Sequence, residues 1–215
     1  LSEFIRLNKK MKNYKPIPLE NGNYYHVYNR GNNGIDVFFD TESYHHFLRL
    51  YNKYISPIAE TYAWCLLKNH FHLLVYIKLE NEIDRSKLEY STVEKPKILD
   101  PSKQFGHLFN AYTQSINKKF KRTGALFEKP FERKQITSER YLQNVIYYIH
   151  NNPVQHGFVQ QMSLYPWSSF ESIVSNKPTK LKRQNVIDLY GTKFDFLDYH
   201  NTFQNLNEIT KFIIE

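Results

Sequence analysis

The chain has 215 residues, a formal net charge of +8 at pH 7 and 41% hydrophobic residues. This length and composition suit one compact domain with extensions, and they exclude a globally disordered chain. No apolar run is long enough to cross a bilayer and no signal segment is recognisable, so we expect a cytoplasmic protein with no membrane partner. Its one cysteine, Cys65, excludes an intramolecular disulfide framework and a multi-cysteine zinc site.

A basic charge balance and a high aromatic content are typical of proteins that bind nucleic acids. The isoelectric point is about 9.3, and the chain contains 17 tyrosines and 16 phenylalanines. Lysine and arginine neutralise phosphates, while aromatic rings stack on unpaired bases. The alternative is that the rings fill the core, and many proteins that bind no nucleic acid are basic, so neither feature decides the function.

The first half of the chain alternates strand-like and helical patterns. Runs with a period of two residues indicate strands, and apolar residues three and four apart indicate a helix. Thr41 is the expected cap of that helix. The predicted elements are a strand at 24–29, a helix at 41–55, and strands at 58–67 and 70–77.

The second half begins with a long charged loop at residues 81–101. Ser138 is the expected cap of the last long helix, and the helix is expected to end near Pro153. The predicted elements are a helix at 102–122, a strand at 130–136, a helix at 138–153 and a short helix at 184–190. The order β-α-β-β-α-β predicts an α+β, ferredoxin-like fold with an antiparallel sheet, followed by a short helical C-terminal extension.

Two histidines alternate on the third predicted strand. Side chains on a strand point to opposite faces in turn, so His70 and His72 share one face while Phe71 and Leu73 share the other. Two neutral imidazoles side by side can bind one divalent cation, which needs a third ligand from elsewhere in the chain. The alternative is a pair of partly buried histidines that are hydrogen-bonded to their neighbours.

The last long helix offers a nucleophile and a third ligand. Its apolar stripe consists of Leu142, Val145, Ile146 and Ile149. At about 100° per residue, Tyr148 and Asn152 lie together on the flank of this stripe, while Tyr147 turns toward solvent. A residue that meets a sheet-borne metal must border the packed face, so Tyr148 is the better nucleophile candidate. Asn152 offers a hard carbonyl oxygen suited to Mg²⁺ or Mn²⁺. The alternative for Tyr148 is a packing residue.

These four side chains suit the cleavage of a phosphodiester by a tyrosine. A phenol attacks phosphorus only when its proton is removed or the phosphate is strongly polarised. A divalent ion held by His70, His72 and Asn152 would polarise the phosphate and stabilise the charge of the transition state. Attack by Tyr148 would leave a 5′-phosphotyrosine and a free 3′-hydroxyl, and the reverse step on another 3′ end would join strands.

Five segments, taken in order, resemble the single-tyrosine HUH transposases, and especially the REP-associated tyrosine transposases. The segments are residues 25–31 (YHVYNRG), 69–74 (NHFHLL), 124–127 (GALF), 148–154 (YIHNNPV) and 165–169 (YPWSS). A lone pair of alternating histidines is unspecific, but this ordered set is specific and extends over most of the chain.

The resemblance implies an HUH catalytic domain at residues 19–170, between a basic N-terminal arm at 1–18 and a helical extension at 171–215. The implied activity is that of a metal-dependent DNA transposase, which cleaves and rejoins single-stranded DNA with Mg²⁺ or Mn²⁺. Members of the family commonly carry Met-Pro before the Asn-His segment, where this chain has Leu67 and Lys68. That departure lies outside the ligands.

Four residues of this chain match the functional positions of the family. The resemblance puts His70 and His72 on the metal-binding histidines, Tyr148 on the nucleophile and Asn152 on the third ligand.

The resemblance also implies single-stranded or hairpin DNA as the partner. Backbone contacts from basic residues would fix the register of that DNA. The candidate DNA contacts are Arg30, Lys118, Lys119, Lys121, Arg122, Arg133 and Lys134. The cluster at residues 118–122 could equally be a solvated helix end, where cations favour the helix dipole. A homodimer, with each tyrosine acting on its own or on its partner's metal, stays open.

Rival functions share some of these features. A host single-strand endonuclease or nickase of the same fold would use the same chemistry, and only genomic context or a strand-transfer assay separates the two. A non-catalytic nucleic-acid-binding module would need none of the four site residues. A histidine-triad nucleotide hydrolase would need a third alternating histidine, where this chain has Leu74. Relaxases place their tyrosine before the histidines, whereas Tyr148 follows them.

Overall fold

The computed structural model describes residues 16–88 and 99–202. The main elements are β1 (Tyr24–Arg30), α1 (Thr41–Tyr54), β2 (Ala59–Leu67), β3 (His70–Ile77), α2 (Pro101–Lys119), β4 (Glu132–Ile136), α3 (Glu139–Gln155), α4 (Phe170–Val174), α5 (Arg183–Asp188) and α6 (Lys193–Asn201). The strands form one antiparallel sheet in the order β2-β3-β1-β4. The predicted α+β, ferredoxin-like arrangement is therefore confirmed.

Each strand lies within two residues of its predicted position, because alternating patterns define strands locally. Residues of β1 with odd numbers, such as Tyr25 and Val27, are buried on the face covered by α1 and α2. The opposite face of the sheet is covered by α3, and there β2 and β3 contribute Cys65 and Leu74 to a second apolar cluster. Both faces of the central strands are thus buried.

The helix starts depend on side chains that cap free backbone N–H groups. Asp40, and not the predicted Thr41, caps α1, because its Oδ1 accepts a 2.8 Å hydrogen bond from the backbone N–H of Ser43. The predicted cap of α3 is confirmed, since Ser138 accepts from the N–H of Tyr141 at 3.2 Å. Helix α2 ends earlier than predicted, and Lys121 beyond it has a positive φ of 52°.

Helix α3 continues through Pro153 to Gln155, beyond its predicted end. Proline lacks an N–H group and so removes one hydrogen bond, but its fixed φ is compatible with a helix. Pro153 is buried, and the next turn is closed by a 3.0 Å bond from the N–H of His156 to the carbonyl of Asn152. Asn152 therefore keeps helical geometry and stays on the same side of α3 as Tyr148.

The residues after Phe170 pack against α3 as part of the second apolar cluster. Val186 of α5 and Phe196 of α6 are fully buried there, together with Ile146 and Ile149 of α3. The described part of the predicted C-terminal extension thus covers one flank of α3.

Several predicted regions fall partly outside the described residues. Of the basic arm, residues 1–15 lie outside them, as do residues 89–98 of the charged loop and residues 203–215 of the extension. The described start of that loop contains short 3-10 turns at Glu80–Glu82 and Arg85–Lys87. Among the described helices, none has both the length and the apolar character required to span a bilayer.

Candidate functional site

His70 and His72 lie side by side near the start of β3, on the sheet face that α3 covers. Their ring centroids are 5.2 Å apart, with the ring planes at 84°. The side chains between and after them, Phe71 and Leu73, are buried in the cluster on the opposite face. His72 is only 3% exposed, so its ring is almost entirely enclosed by protein.

Helix α3 brings Tyr148 and Asn152 to these histidines. The Nε2 atom of His70 is 3.2 Å from Oδ1 of Asn152. The ring of Tyr148 meets that of His72 edge-on, with centroids 5.2 Å apart and planes at 82°. The structure therefore brings together all four residues that the sequence predicts for the site.

Tyr147 does not turn toward solvent as predicted from the helix pattern. It is 5% exposed and packs against the rings of Tyr199 and His200, with centroids 6.0 and 5.7 Å away. Helix α6 covers this flank of α3, and a local periodicity cannot show that a distant segment will cover it. Tyr147 and Tyr148 are both buried, but they face different neighbours.

A chain of buried hydrogen bonds holds α3 between β2 and α6. The Oγ of Ser169 lies 2.9 Å from the backbone nitrogen of Trp64 and 2.8 Å from Nε2 of His150. On the other side of that ring, Nδ1 of His150 lies 3.1 Å from Nε2 of His200. Nδ1 of His200 donates to the carbonyl of Phe196 at 2.8 Å. This chain anchors the helix two residues from both Tyr148 and Asn152.

The donor and acceptor roles along this chain follow from the neutral state of its two rings. Burial lowers the pKa of His200 to about 4 and that of His150 well below 6.5, so both rings are neutral near pH 7. Because a carbonyl only accepts, His200 carries its proton on Nδ1 and accepts at Nε2. His150 then donates from Nδ1 and accepts at Nε2 from the Ser169 hydroxyl, which itself accepts from Trp64.

Burial also keeps the two histidines of the site neutral. It lowers the pKa of His70 to about 4, against a smaller opposite effect of the Asn152 side-chain oxygen, which would accept a hydrogen bond from the protonated ring. Burial holds the pKa of His72 well below 6.5, and the neighbouring His26 and His70 lower it further. Neutral imidazoles present a nitrogen lone pair, which is the form that binds metals.

The polar atoms around His70 fit a shared cation. Nδ1 of His70 lies 2.7 Å from Oδ1 of Asn69 and must donate to it, because that oxygen only accepts. Nε2 then carries a lone pair that faces another acceptor, Oδ1 of Asn152, at 3.2 Å. Adjacent ligands of an octahedral ion at about 2.1 Å would be roughly 3 Å apart, so a cation between the two atoms relieves their repulsion.

A further buried atom supports the same fit. Nε2 of His72 makes no hydrogen bond within the described ranges. An imidazole nitrogen that carries a lone pair in such a position can serve as a metal ligand. Residues 16–88 and 99–202 contain no group of three histidine, cysteine, aspartate or glutamate side chains arranged for a metal. The amide oxygen of Asn152, beside His70, could serve as the third ligand.

Two more histidines lie beside the site, and neither was predicted from the sequence to have a role there. Nε2 of His26, on β1, is 3.0 Å from Nδ1 of His72, and its ring is 6.0 Å from that of Tyr148. His156, at the end of α3, has its ring 5.1 Å from that of His70. The alternating pattern of β1 predicts which face of the sheet His26 occupies. Its contact with His72 depends on which strand pairs with β1, and only the structure shows that pairing.

The seven predicted DNA contacts lie in different parts of the structure, and three of them are on β1 and β4. Arg30 is paired with His70 in the register of β1 and β3, and its side chain is 53% exposed beside Glu128. Lys134 lies opposite His26 on β4. Arg133 is only 8% exposed, donates to Oγ of Ser102 at 2.7 Å and stacks on Phe131, so it is engaged inside the protein.

The basic cluster at residues 118–122 lies at the end of α2, where it contacts the start of α1. Lys119 pairs with Asp40 at 2.7 Å, and the guanidinium of Arg122 is 5.6 Å from the ring of Phe39. Lys118, Lys119 and Lys121 are exposed. This cluster belongs to the α1–α2 layer, on the other side of the sheet from α3.

The comparisons with known proteins agree with the motifs. No family model matches the chain. The chain is 28% identical over 112 residues to the Haemophilus influenzae protein named “Putative REP-associated tyrosine transposase”, a match that covers 52% of this chain and 58% of that relative. The chain thus spans less than two thirds of the relative's length. The resemblance to this kind of protein is confirmed at the level of sequence.

A solved structure shares the fold. It is that of a REP-associated tyrosine transposase bound to a REP hairpin, with a TM-score of 0.53 at 18% identity over 77% of this chain and 87% of that one. A bacterial tRNA(His) guanylyltransferase-like protein in complex with GTP reaches a TM-score of only 0.42 at 11% identity. This similarity is too low to indicate a function.

Proposed function

We propose that this chain, which is similar in sequence and fold to REP-associated tyrosine transposases, cleaves and rejoins single-stranded DNA through Tyr148. The observation that carries the proposal is the convergence of a phenol, two neutral imidazoles and an amide oxygen in one buried cluster. A protein that only binds DNA would not need these four groups in one place. The proposed activity is that of a tyrosine transposase.

In the proposed reaction, the Tyr148 oxygen attacks a backbone phosphorus and forms a 5′-phosphotyrosine bond. The bond from phosphorus to the 3′ oxygen breaks, and the proton lost by the phenol is balanced by one gained by the departing 3′-hydroxyl. Attack of a different 3′-hydroxyl on the phosphotyrosine then reforms a phosphodiester and regenerates the phenol. The energy of the bond is conserved, so no nucleotide cofactor is needed.

His70, His72 and Asn152 would hold a divalent ion, Mg²⁺ or Mn²⁺. A bound ion of this kind polarises the non-bridging phosphate oxygens and lowers the cost of the charge that develops on them. The two imidazoles remain neutral and present nitrogen lone pairs, while helix α3 sets the distance between the amide oxygen and the phenol. Because Asn152 follows Tyr148 by four residues, both project from the same side of α3.

The proposed substrate is single-stranded DNA that carries a hairpin. The related solved structure is bound to a REP hairpin, and Arg30 offers an exposed guanidinium next to His70 in the sheet register. Tyr148 is 1% exposed, so a phosphate reaches it only when side chains that cover it move. We therefore expect DNA binding to precede exposure of the phenol.

Covalent capture of DNA tests the proposal directly. Purified protein is incubated with Mn²⁺ and with single-stranded oligonucleotides that carry the hairpins flanking its own coding sequence. Because the enzyme retains the 5′ phosphate, a label at the 3′ end should appear in a protein adduct, while a 5′ label should appear in a shortened free strand. Denaturing electrophoresis separates the two products.

Two adjacent tyrosines provide the matched variants. Tyr148→Phe should reduce the adduct by about 1,000-fold or more, as expected when a covalent nucleophile is removed, and should leave DNA binding intact in a gel-shift assay. Tyr147→Phe, a change of the same size on the same helix, should form the adduct normally. An adduct of undiminished yield with Tyr148→Phe would show that another residue is the nucleophile. An adduct without joining of a second strand would indicate a nickase.

A further inference from the structure

His26 contacts both a proposed metal ligand and the proposed nucleophile. Its Nε2 lies 3.0 Å from Nδ1 of His72, with the ring centroids 5.1 Å apart and an interplanar angle of 29°. The ring of His26 also meets that of Tyr148 edge-on, with centroids 6.0 Å apart. His26 is 1% exposed, so these contacts are made without competition from solvent.

The hydrogen bond between the two rings contains one proton, which either ring can supply. If His26 donates, then neutral His72 carries its own proton on Nε2, where no acceptor exists within residues 16–88 and 99–202. If His72 donates from Nδ1, its Nε2 keeps a lone pair. Either tautomer leaves Nε2 of His72 without a partner in the described residues, but only the tautomer that donates from Nδ1 presents a lone pair there, which a cation can occupy.

We propose that His26 is a positioning residue, which accepts the Nδ1 proton of His72 and so holds Nε2 of His72 as a metal ligand. The inference rests on the proposed function, because it concerns the same divalent ion. Metal-bound histidines usually donate their second ring N–H to a fixed acceptor, which sets both the tautomer and the orientation of the ring. Here the acceptor is another imidazole.

The sheet makes this acceptor rigid. β1 and β3 are adjacent antiparallel strands, and Tyr28 pairs with His72 in their register. The ring of Tyr28 lies 4.9 Å from His26 and 5.8 Å from His72, so aromatic contacts enclose the pair. An acceptor on a central strand varies little in position, which suits a role in orienting a ligand.

Two substitutions separate acceptor chemistry from packing. His26→Leu keeps an apolar side chain of similar size but removes the acceptor, whereas His26→Gln keeps an oxygen that can accept from His72. We expect His26→Leu to weaken Mn²⁺ binding by about 10–100-fold, the usual effect of losing such a partner. His26→Gln should retain most of the affinity. Binding is measured by electron paramagnetic resonance of free Mn²⁺, without DNA and without turnover.

Tyr25→Phe is the matched control. Tyr25 lies next to His26 on β1, is equally buried and faces the opposite side of the sheet, where its hydroxyl accepts from the N–H of Glu20 at 3.0 Å. It should lose some stability and bind Mn²⁺ normally. Thermal unfolding of each variant shows which of them are folded.

The wild-type protein offers a measurement that no misfolded variant can obscure. Imidazole ¹H–¹⁵N correlation spectra distinguish the two neutral tautomers, and His72 should carry its proton on Nδ1 before Mg²⁺ is added. A proton on Nε2 of His72 would overturn the inference, as would equal Mn²⁺ affinities of His26→Leu and the wild type. Equal losses in His26→Leu and His26→Gln would overturn it as well.

The proposed function fails in a different way from this inference. If His70→Ala abolishes Mn²⁺ binding while His26→Leu leaves it unchanged, only the role of His26 is refuted. If the wild-type protein binds no Mn²⁺, the metal-dependent function is refuted and the role of His26 with it.

Discussion

Ser169 lies at the centre of the buried hydrogen-bond chain that anchors α3, so removing its hydroxyl tests how firmly the helix is held. The hydroxyl oxygen accepts from the backbone N–H of Trp64 at 2.9 Å and donates to Nε2 of His150 at 2.8 Å. Ser169 itself is fully buried. Ser169→Ala would leave one donor and one acceptor without a partner in the interior.

The expected cost follows from these two orphaned groups. Each buried polar group without a partner costs about 1–3 kcal/mol, and the loss of one small oxygen leaves little space for relaxation. We therefore expect Ser169→Ala to lower the free energy of unfolding by about 3 kcal/mol, a large part of the roughly 5–15 kcal/mol of an ordinary domain.

Ser168→Ala is the matched control, because Ser168 is also buried but makes only a long 3.4 Å bond from the N–H of Phe170. It should cost less than about 1 kcal/mol, since hydrogen bonds at this distance are weak. Urea unfolding followed by circular dichroism measures both variants. Equal losses for the two serines, or a loss below about 0.5 kcal/mol for Ser169→Ala, would refute the assignment of donors and acceptors along the chain.

Three further predictions concern pH, the metal and DNA. His200 has its pKa lowered to about 4 by burial, so it stays neutral in the folded protein while the unfolded chain is protonated below about pH 6.5. Above pH 6.5 its contribution to the free energy of unfolding is complete. As the pH falls from 6.5 toward 4, the free energy of unfolding decreases by up to about 1.4 kcal/mol per pH unit. Urea midpoints that do not change between pH 7 and 5 would contradict this. Asn152→Leu should weaken Mn²⁺ binding at least about tenfold, as measured by titration calorimetry, and an unchanged affinity would remove Asn152 from the ligand set. Arg30→Ala should reduce the slope of the logarithm of DNA affinity against the logarithm of salt concentration by about one, because one phosphate contact is lost. Arg49→Ala, which removes a similarly exposed arginine on α1, should leave that slope unchanged. Identical slopes for the two variants would exclude a phosphate contact at Arg30.

The site residues could be predicted from the sequence because each pair is local. His70 and His72 are two residues apart on a strand, and Tyr148 and Asn152 are four apart on a helix, so periodicity alone assigns each pair to one face. The antiparallel fold followed from the order of elements, since a helix connects strands of one sheet in few ways. The resemblance of five ordered segments connected the two pairs and suggested their chemistry.

Errors arose where a distant segment decided the environment of a residue. Tyr147 was expected at the surface, but α6 covers it. Pro153 was expected to end α3, but packing against the core continues the helix past it.

By itself, the sequence determined the two local pairs of site residues, the type of fold and the kind of protein that the chain resembles. Only the tertiary structure decided that the pairs meet, that His26 lies behind His72 and that Ser169 and His200 anchor α3. The physical reason is that periodicity reports which residues share a face of one element. What covers that face depends on strand register and helix packing between residues far apart in the chain.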